Sequence, residues 1–308
     1  MNDTLYIIGN GFDIHHKLPT RYCDYKKFLL KRNANFVHRM DELLYTNGIK
    51  VEDIKQWSNL EEYTRQFPDL DYENLHDEAF DASEQDMDRA SYWDDPHYIA
   101  NNYVKEWIDF YDDFTCHFKE WIDSIDVTKA KKDEKLVIDP DASFLNFNYT
   151  KTLETIYGVS AENILYIHID EEKYILGNNQ PQNIPYPNPE GTYIDEDGNE
   201  ISDEDIRNVD VKKVLNSAYS AIHETYFKNS EGLIKKYGTW FSRISRCRKI
   251  VFMGISFGEE DKPYFDFIFS KARNCNVWLF YYYSDDDLLA AKKYAEEFNV
   301  QNVEYRKW

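Results

Sequence analysis

Hydrophobic positions along the 308-residue chain gather into short β-rich runs separated by longer amphipathic stretches. The runs are LYIIG (5–9), SFLNFNY (143–149), NILYIHI (163–169), KIVFMGIS (249–256) and NVWLFYYY (276–283), with VEYRKW as a final strand. Unbroken apolar runs of this length suit strands covered on both faces. Between them, YCDYKKFLLKR, TKTLETIYG, KPYFDFIFSKAR and DDLLAAKKYAEEFN have helical character. Strand and helix alternate, which predicts an α/β fold built on a doubly wound, mainly parallel, Rossmann-like sheet.

Two segments break that rhythm. Residues 34–135 are acidic and rich in Tyr and Trp, and Tyr103, Trp107, Phe110, Phe114, Phe118 and Trp121 recur at spacings of three and four, the signature of one packed helix face. They predict a helical insertion in a core formed by 1–33 and 136–308. Residues 179–210 hold four of the nine prolines, with Gly191, Gly198 and many acids. This composition predicts a long polar loop within the core, of the kind that serves as a lid. No internal repeat is visible.

Charge narrows the range of partners. A formal charge of −21 at pH 7 repels a phosphate backbone and forfeits counterion release, so no nucleic-acid partner is expected. The opening MNDTLYIIG has no basic n-region and its apolar run ends at Gly9, which predicts neither signal peptide nor membrane span and a cytoplasmic protein. Four cysteines, Cys23, Cys116, Cys247 and Cys275, form no CxxC pair, and His15 and His16 are adjacent rather than three or four apart. Neither pattern makes a metal site, so no metal is expected.

Chemistry concentrates at the strand ends, where ligands of doubly wound sheets bind. The first strand ends in Gly9, Asn10, Gly11, Phe12 and Asp13; the full GxGxxG spacing is absent because Ile14 holds its last position. The second ends in Asn146, Asn148 and Thr150, the third in His168 and Asp170, and the fourth in Gly254, Ser256, Gly258 and Asp261. Each has a plainer alternative. Asn148 or Thr150 can cap the following helix, Asp13 can cap its own helix as readily as bond a ribose hydroxyl, and Asp261 sits where KPYFDFIF begins.

Taken together, LYIIGNGFDIHHKLPT, LNFNYTKTLETIYG, ILYIHID…YILGN and IVFMGISFGEEDKPYFDFIF resemble the AbiH family of bacteriophage abortive-infection proteins from residue 5 to about 270. More distantly, their order is similar to the sirtuin-like NAD-binding fold. That likeness implies Gly9 and Gly11 at the phosphate turn with Asn10, Phe12 and Asp13 beside them, and Asn148 at the ribose and nicotinamide side. It makes His168 the catalytic histidine and places Gly254 and Ser256, with Asp261 near them, at the adenosine end. Asn148 and His168 are the implied catalytic pair, and NAD the implied substrate or ligand.

The implied function is a phage-defence protein that hydrolyses NAD to nicotinamide and ADP-ribose, because depleting a central cofactor halts phage replication along with the host cell. The sirtuin pattern has glycine after its histidine; here it is Ile169, whose branched side chain is expected to crowd the cleft. A non-catalytic nucleotide-binding sensor or interaction protein is therefore the alternative. The zinc module of protein deacylases has no counterpart, which disfavours deacylation. A small-molecule nucleotide is the expected partner; a phage trigger protein, a defence-system partner and a second copy of the chain stay open.

Overall fold

Side chains alternate across each apolar run, so successive residues pack on opposite faces of one sheet. Leu5 and Ile7 of β1 (Thr4–Ile8) join one buried cluster and Tyr6 and Ile8 join another. The computed structural model describes residues 3–46, 48–57, 60–61, 72–83, 96–170, 173–177, 179 and 203–308.

The remaining strands of the main sheet are β2 (Ser143–Asn146), β3 (Ile164–Tyr166), β6 (Lys249–Met253), β7 (Val277–Tyr282) and β8 (Val303–Lys307); β4 (Ile169–Asp170) and β5 (Lys173–Tyr174) form a separate antiparallel hairpin. The six strands run parallel in the order β3-β2-β1-β6-β7-β8. This is the predicted doubly wound α/β sheet, with its order reversing between β1 and β6. The third run is shorter than its apolar pattern suggested: β3 stops at Tyr166, and the chain turns through His168 into the hairpin.

Helices cover both faces. On one lie α9 (Ser230–Lys236), α10 (Gly238–Phe241), α11 (Lys262–Lys271) and α12 (Asp285–Glu297), which bury Leu233, Phe241, Phe265, Ile268 and Tyr294 against Leu145, Phe252 and Phe280. On the other, Phe12 of α1 (Asn10–His15) and Leu153 of α7 (Thr152–Tyr157) pack on Tyr6, Phe144 and Met253.

The helical region has its own core. It is formed by α2 (Tyr22–Arg32), α3 (Ala34–Thr46), α4 (Val51–Gln56), α6 (Pro96–Asp123) and α8 (Asp203–Tyr226), with α5 (Tyr72–Ser83) packed alongside α6 and α8. The aromatic stripe of α6 is its spine. Trp107, Phe110, Phe114, Phe118 and Trp121 are buried there with Tyr25, Met40, Trp57 and Tyr226. Of the predicted polar loop 179–210, residues 180–202 lie outside the described residues. Residues 203–210 are the start of α8, a correction whose physical basis is the apolar run beyond them: Val211, Leu215, Ala218, Tyr219 and Ile222 are buried at helical spacing and carry the helix back through its acidic first turns.

At the reversal of strand order the backbone leaves β1 and β6 in near contact. Gly9 N–H donates to Met253 O (2.9 Å) and Gly11 N–H donates to Gly254 O (3.0 Å). A Cβ on Gly9 would lie 2.5 Å from Gly254 O, and one on Gly11 would lie 2.6 Å from Gly254 Cα. Gly254 itself has φ +68°, and a Cβ there would meet Phe12 N at 2.2 Å. The glycines of the opening motif thus let two protein turns close on each other.

This crowding is measurable against an internal control. Gly158 has the same φ of +68° with no atom within 4 Å of a Cβ. Gly158→Ala should cost about 1 kcal/mol, the left-handed penalty alone, and Gly254→Ala roughly 2 kcal/mol or more on top of it. Urea unfolding of the two variants tests this, and equal losses would show that the contact at Gly254 relaxes freely.

Candidate functional site

Because parallel strands all point their carboxyl ends the same way, the polar residues that follow them converge. They meet in a cleft of about 930 Å³ at the strand-order reversal. Gly9, Asn10, Gly11 and Asp13 line it from β1 and α1; Asn148 and His168 line it from the ends of β2 and β3; Gly254, Ser256 and Asp261 line it after β6. Three strand-end residues named from the sequence lie outside it: Asn146, which accepts from the Asn148 N–H, Asp170, which is bonded to Lys236 and Tyr237, and Phe12. Phe12 is fully buried on the sheet face beneath α1, its ring 4.3 Å from that of His16, because the helix turns its apolar side away from the cleft.

Several of these groups already have work within the protein. The amides of Gly9 and Gly11 are spent on Met253 O and Gly254 O, as above. Asn10 Nδ2 donates to Thr20 O at 2.7 Å and so holds the loop between α1 and α2. Exposed Lys17 and Arg21, on that loop, bring positive charge to the cleft rim. His16 is structural: one ring nitrogen donates to Phe12 O (2.7 Å) and the other accepts from the Tyr157 hydroxyl (2.6 Å).

Two buried constellations stand on the cleft wall. In the first, Asp13 is 1% exposed and one of its oxygens accepts from the Thr150 hydroxyl, which also meets the Thr152 hydroxyl at 2.9 Å. Burial raises the Asp13 carboxyl to about 6, against the lowering effect of hydrogen bonds from Thr150, Thr152 and Asn148. Asn148 is held from behind as well, its N–H donating to Asn146 Oδ1 at 3.0 Å. Asp13 therefore makes no side-chain cap: its carboxylate is used on the Thr150 hydroxyl, with the Asn148 side chain beside it.

In the second constellation, His168 Nε2–H donates to Asp261 Oδ1 at 3.0 Å, and Lys228 Nζ donates to the same oxygen at 2.7 Å. Lys228 also lies 3.9 Å from Glu61 Oε2, and Tyr22 OH donates to Glu61 Oε1. Burial lowers the His168 pKa, reinforced by the Lys228 charge and opposed by Asp261. Burial alone would raise Asp261, but Lys228 and then His168 hold it well below the usual carboxylate range. Glu61 is raised to about 7 by burial, with Lys228 pulling the other way. Asp261 makes no capping bond to the helix it precedes; its carboxylate is used sideways.

Sequence reasoning missed Lys228, Glu61 and Tyr22. Lys228 carries no motif; its one signal is a lysine directly after the apolar face of α8. Ile169 needs a correction too. It lies in β4 opposite Tyr174 and is absent from the cleft lining, since an extended backbone accepts a branched side chain and turns it away. Among the described residues, no group of three or more His, Cys, Asp and Glu side chains is placed to hold a metal ion, and no helix is long and apolar enough to cross a membrane.

Asp13 makes a pH-dependent contribution with a definite sign. Its folded-state pKa lies above the unfolded value of 3.8, so the stability it lends is complete below pH 3.8 and is lost as pH rises through about 6. The Asp13→Asn variant carries no such charge. Its stability relative to the wild type should therefore improve by roughly 2–3 kcal/mol between pH 4 and pH 7. Denaturant unfolding at both pH values measures this, and a pH-independent difference would show that Asp13 ionises as freely as in the unfolded chain.

Comparison with known proteins places this geometry. The family model described as "Bacteriophage abortive infection AbiH" matches residues 5–283, which include all four strand ends that build the cleft. No curated protein and no solved structure matches the chain. A match over nearly the whole length, carried through each of the cleft-forming motifs, makes this chain a member of the AbiH family of bacteriophage abortive-infection proteins.

Proposed function

We propose that this phage-defence protein binds NAD or a related nucleotide in the cleft and hydrolyses the bond between nicotinamide and ribose. The observation that carries the reading is that Asn148 and His168, from two different strand ends, line one cleft at the strand-order reversal, each with its own buried carboxylate behind it. The motif order resembling sirtuins supports the same ligand.

The chemistry asks for few groups. As the bond to nicotinamide lengthens, positive charge builds on the ribose ring; nicotinamide leaves neutral with the bonding electrons, and water supplies the oxygen of the new hydroxyl. Asn148 can donate and accept, which suits orientation of a ribose hydroxyl or that water. His168 takes the proton on Nδ1, since Nε2 carries the hydrogen given to Asp261, and its lowered pKa keeps the ring neutral at neutral pH. Asp13, inside the cleft wall and ionised above about pH 6, adds negative potential where the ribose charge develops. Positive charge for the phosphates comes from Lys17 and Arg21 on the rim, since the glycine-turn amides at 9 and 11 are engaged within the protein.

Purified protein incubated with NAD should release nicotinamide, and Asn148→Ala and His168→Gln should each lower turnover by about 100-fold or more. Circular dichroism of the same samples should show an unchanged fold. Saturable binding of NAD or ADP-ribose without nicotinamide release would favour the non-catalytic sensor; absence of both binding and release would remove the nucleotide reading altogether.

A further inference from the structure

Lys228 is 0% exposed, and an ammonium is seldom taken out of water so completely without a purpose. It stands on the short link between α8 and α9, at the seam of the helical region and the sheet. Its nitrogen lies 2.7 Å from the Asp261 oxygen that His168 Nε2 also contacts at 3.0 Å, so one carboxylate oxygen serves both side chains. On its other side the same nitrogen is 3.9 Å from Glu61, in the helical region.

We propose that Lys228 is a positioning residue for His168, acting through the Asp261 oxygen that the two share. A lone Asp261–His168 pair in a buried setting would favour the doubly protonated ring. A cation already bonded to that oxygen satisfies the carboxylate, opposes a second positive charge on the imidazole, and fixes the direction in which Nε2–H points. The titratable groups facing His168 are few: Asp261 and Tyr264 at the start of α11, Lys228 on the α8–α9 link, and Tyr149 after β2, with Glu61 behind Lys228. The Tyr149 hydroxyl donates to Ile175 O at 3.1 Å, and burial raises both tyrosines' pKa values, so neither supplies a charge near neutral pH. Lys228 is thus the one cation in contact with the Asp261–His168 pair among these groups. Its reach to Glu61 joins the helical region to the histidine's setting.

The role given to His168 rests on the glycohydrolase reading, whereas its titration does not, and the test uses that difference. The ring signal of His168 in full-length protein labelled with ¹³C at histidine Cε1 is identified by its loss in His168→Gln and followed against pH without nucleotide. In Lys228→Met the midpoint should rise by about one pH unit or more, because the remaining carboxylate then favours the imidazolium. Lys228→Gln, which keeps an N–H donor at Asp261 and leaves a milder defect, should shift it in the same direction and carries the test if the Met variant does not fold. Lys228→Arg, which restores the charge, should return the midpoint towards the wild type. Nicotinamide release, where present, should lose about tenfold in kcat at pH 7, with the acid limb of its pH profile displaced upward by the same amount and KM changed less than about threefold. A His168 midpoint unmoved in folded Lys228→Met or Lys228→Gln overturns the proposal. A shifted midpoint in a protein that never releases nicotinamide upholds it while removing the hydrolase reading.

Discussion

The close contact of two turns at the strand-order reversal governs the rest of this structure. Gly9 and Gly11 after β1, and Gly254 after β6, approach so tightly that none has room for a Cβ. Two backbone hydrogen bonds lock the approach. Because β1 and β6 are the central pair of the sheet, their register sets the level at which β2 and β3 end on one side and β7 on the other. The polar residues beyond those ends are then brought to a common depth. A loosened crossing would shift Asp13 on α1 relative to Asn148 and Thr150, and the hydrogen bond from the Thr150 hydroxyl to Asp13 depends on that alignment.

Around this fixed point the protein buries charge in an ordered way. Asp13 is raised by burial and Asp261 is held down by the Lys228 charge and the His168 N–H, so two carboxyls in one cleft have opposite tendencies. Separation of this kind is what acid–base chemistry at neutral pH requires. The second constellation also joins two separately cored parts of the molecule. Tyr22 and Glu61 belong to the helical side, His168 and Asp261 to the sheet side, and Lys228 lies between them. The aromatic stripe of α6 has the same double position: most of it is core, but Phe118 and Trp121 at its far end also line the cleft.

Much of the fold was legible because its rules are local. Each β-rich run became a strand of the parallel sheet, and the α6 stripe was readable from spacing alone. What escaped depended on tertiary distance. The resemblance puts the glycines of GNGFD at a phosphate turn, and only the structure identifies Gly254 as a group they approach. Residues 203–210 looked like loop because of their acids, whereas the buried face further along α8 makes them helix. Asn148, His168 and Asp261 could be nominated as strand-end polar residues. Lys228 and Glu61 could not, since a buried charge pair is written in two places that share no motif and no spacing. Phe12 shows the reverse error: adjacency to site residues put it in the cleft, while its apolar side chain follows the core face of α1.

The proposed function requires that Asn148 and His168 face one bound ribonucleotide. A crystal structure of the protein grown with saturating ADP-ribose tests it most directly. The ligand is expected in the cleft at the β1–β6 reversal, with a ribose within hydrogen-bonding distance of both Asn148 and His168 and its diphosphate towards Lys17 and Arg21. A ligand bound elsewhere on the molecule, or a cleft that stays free of it at saturation, would contradict the claim.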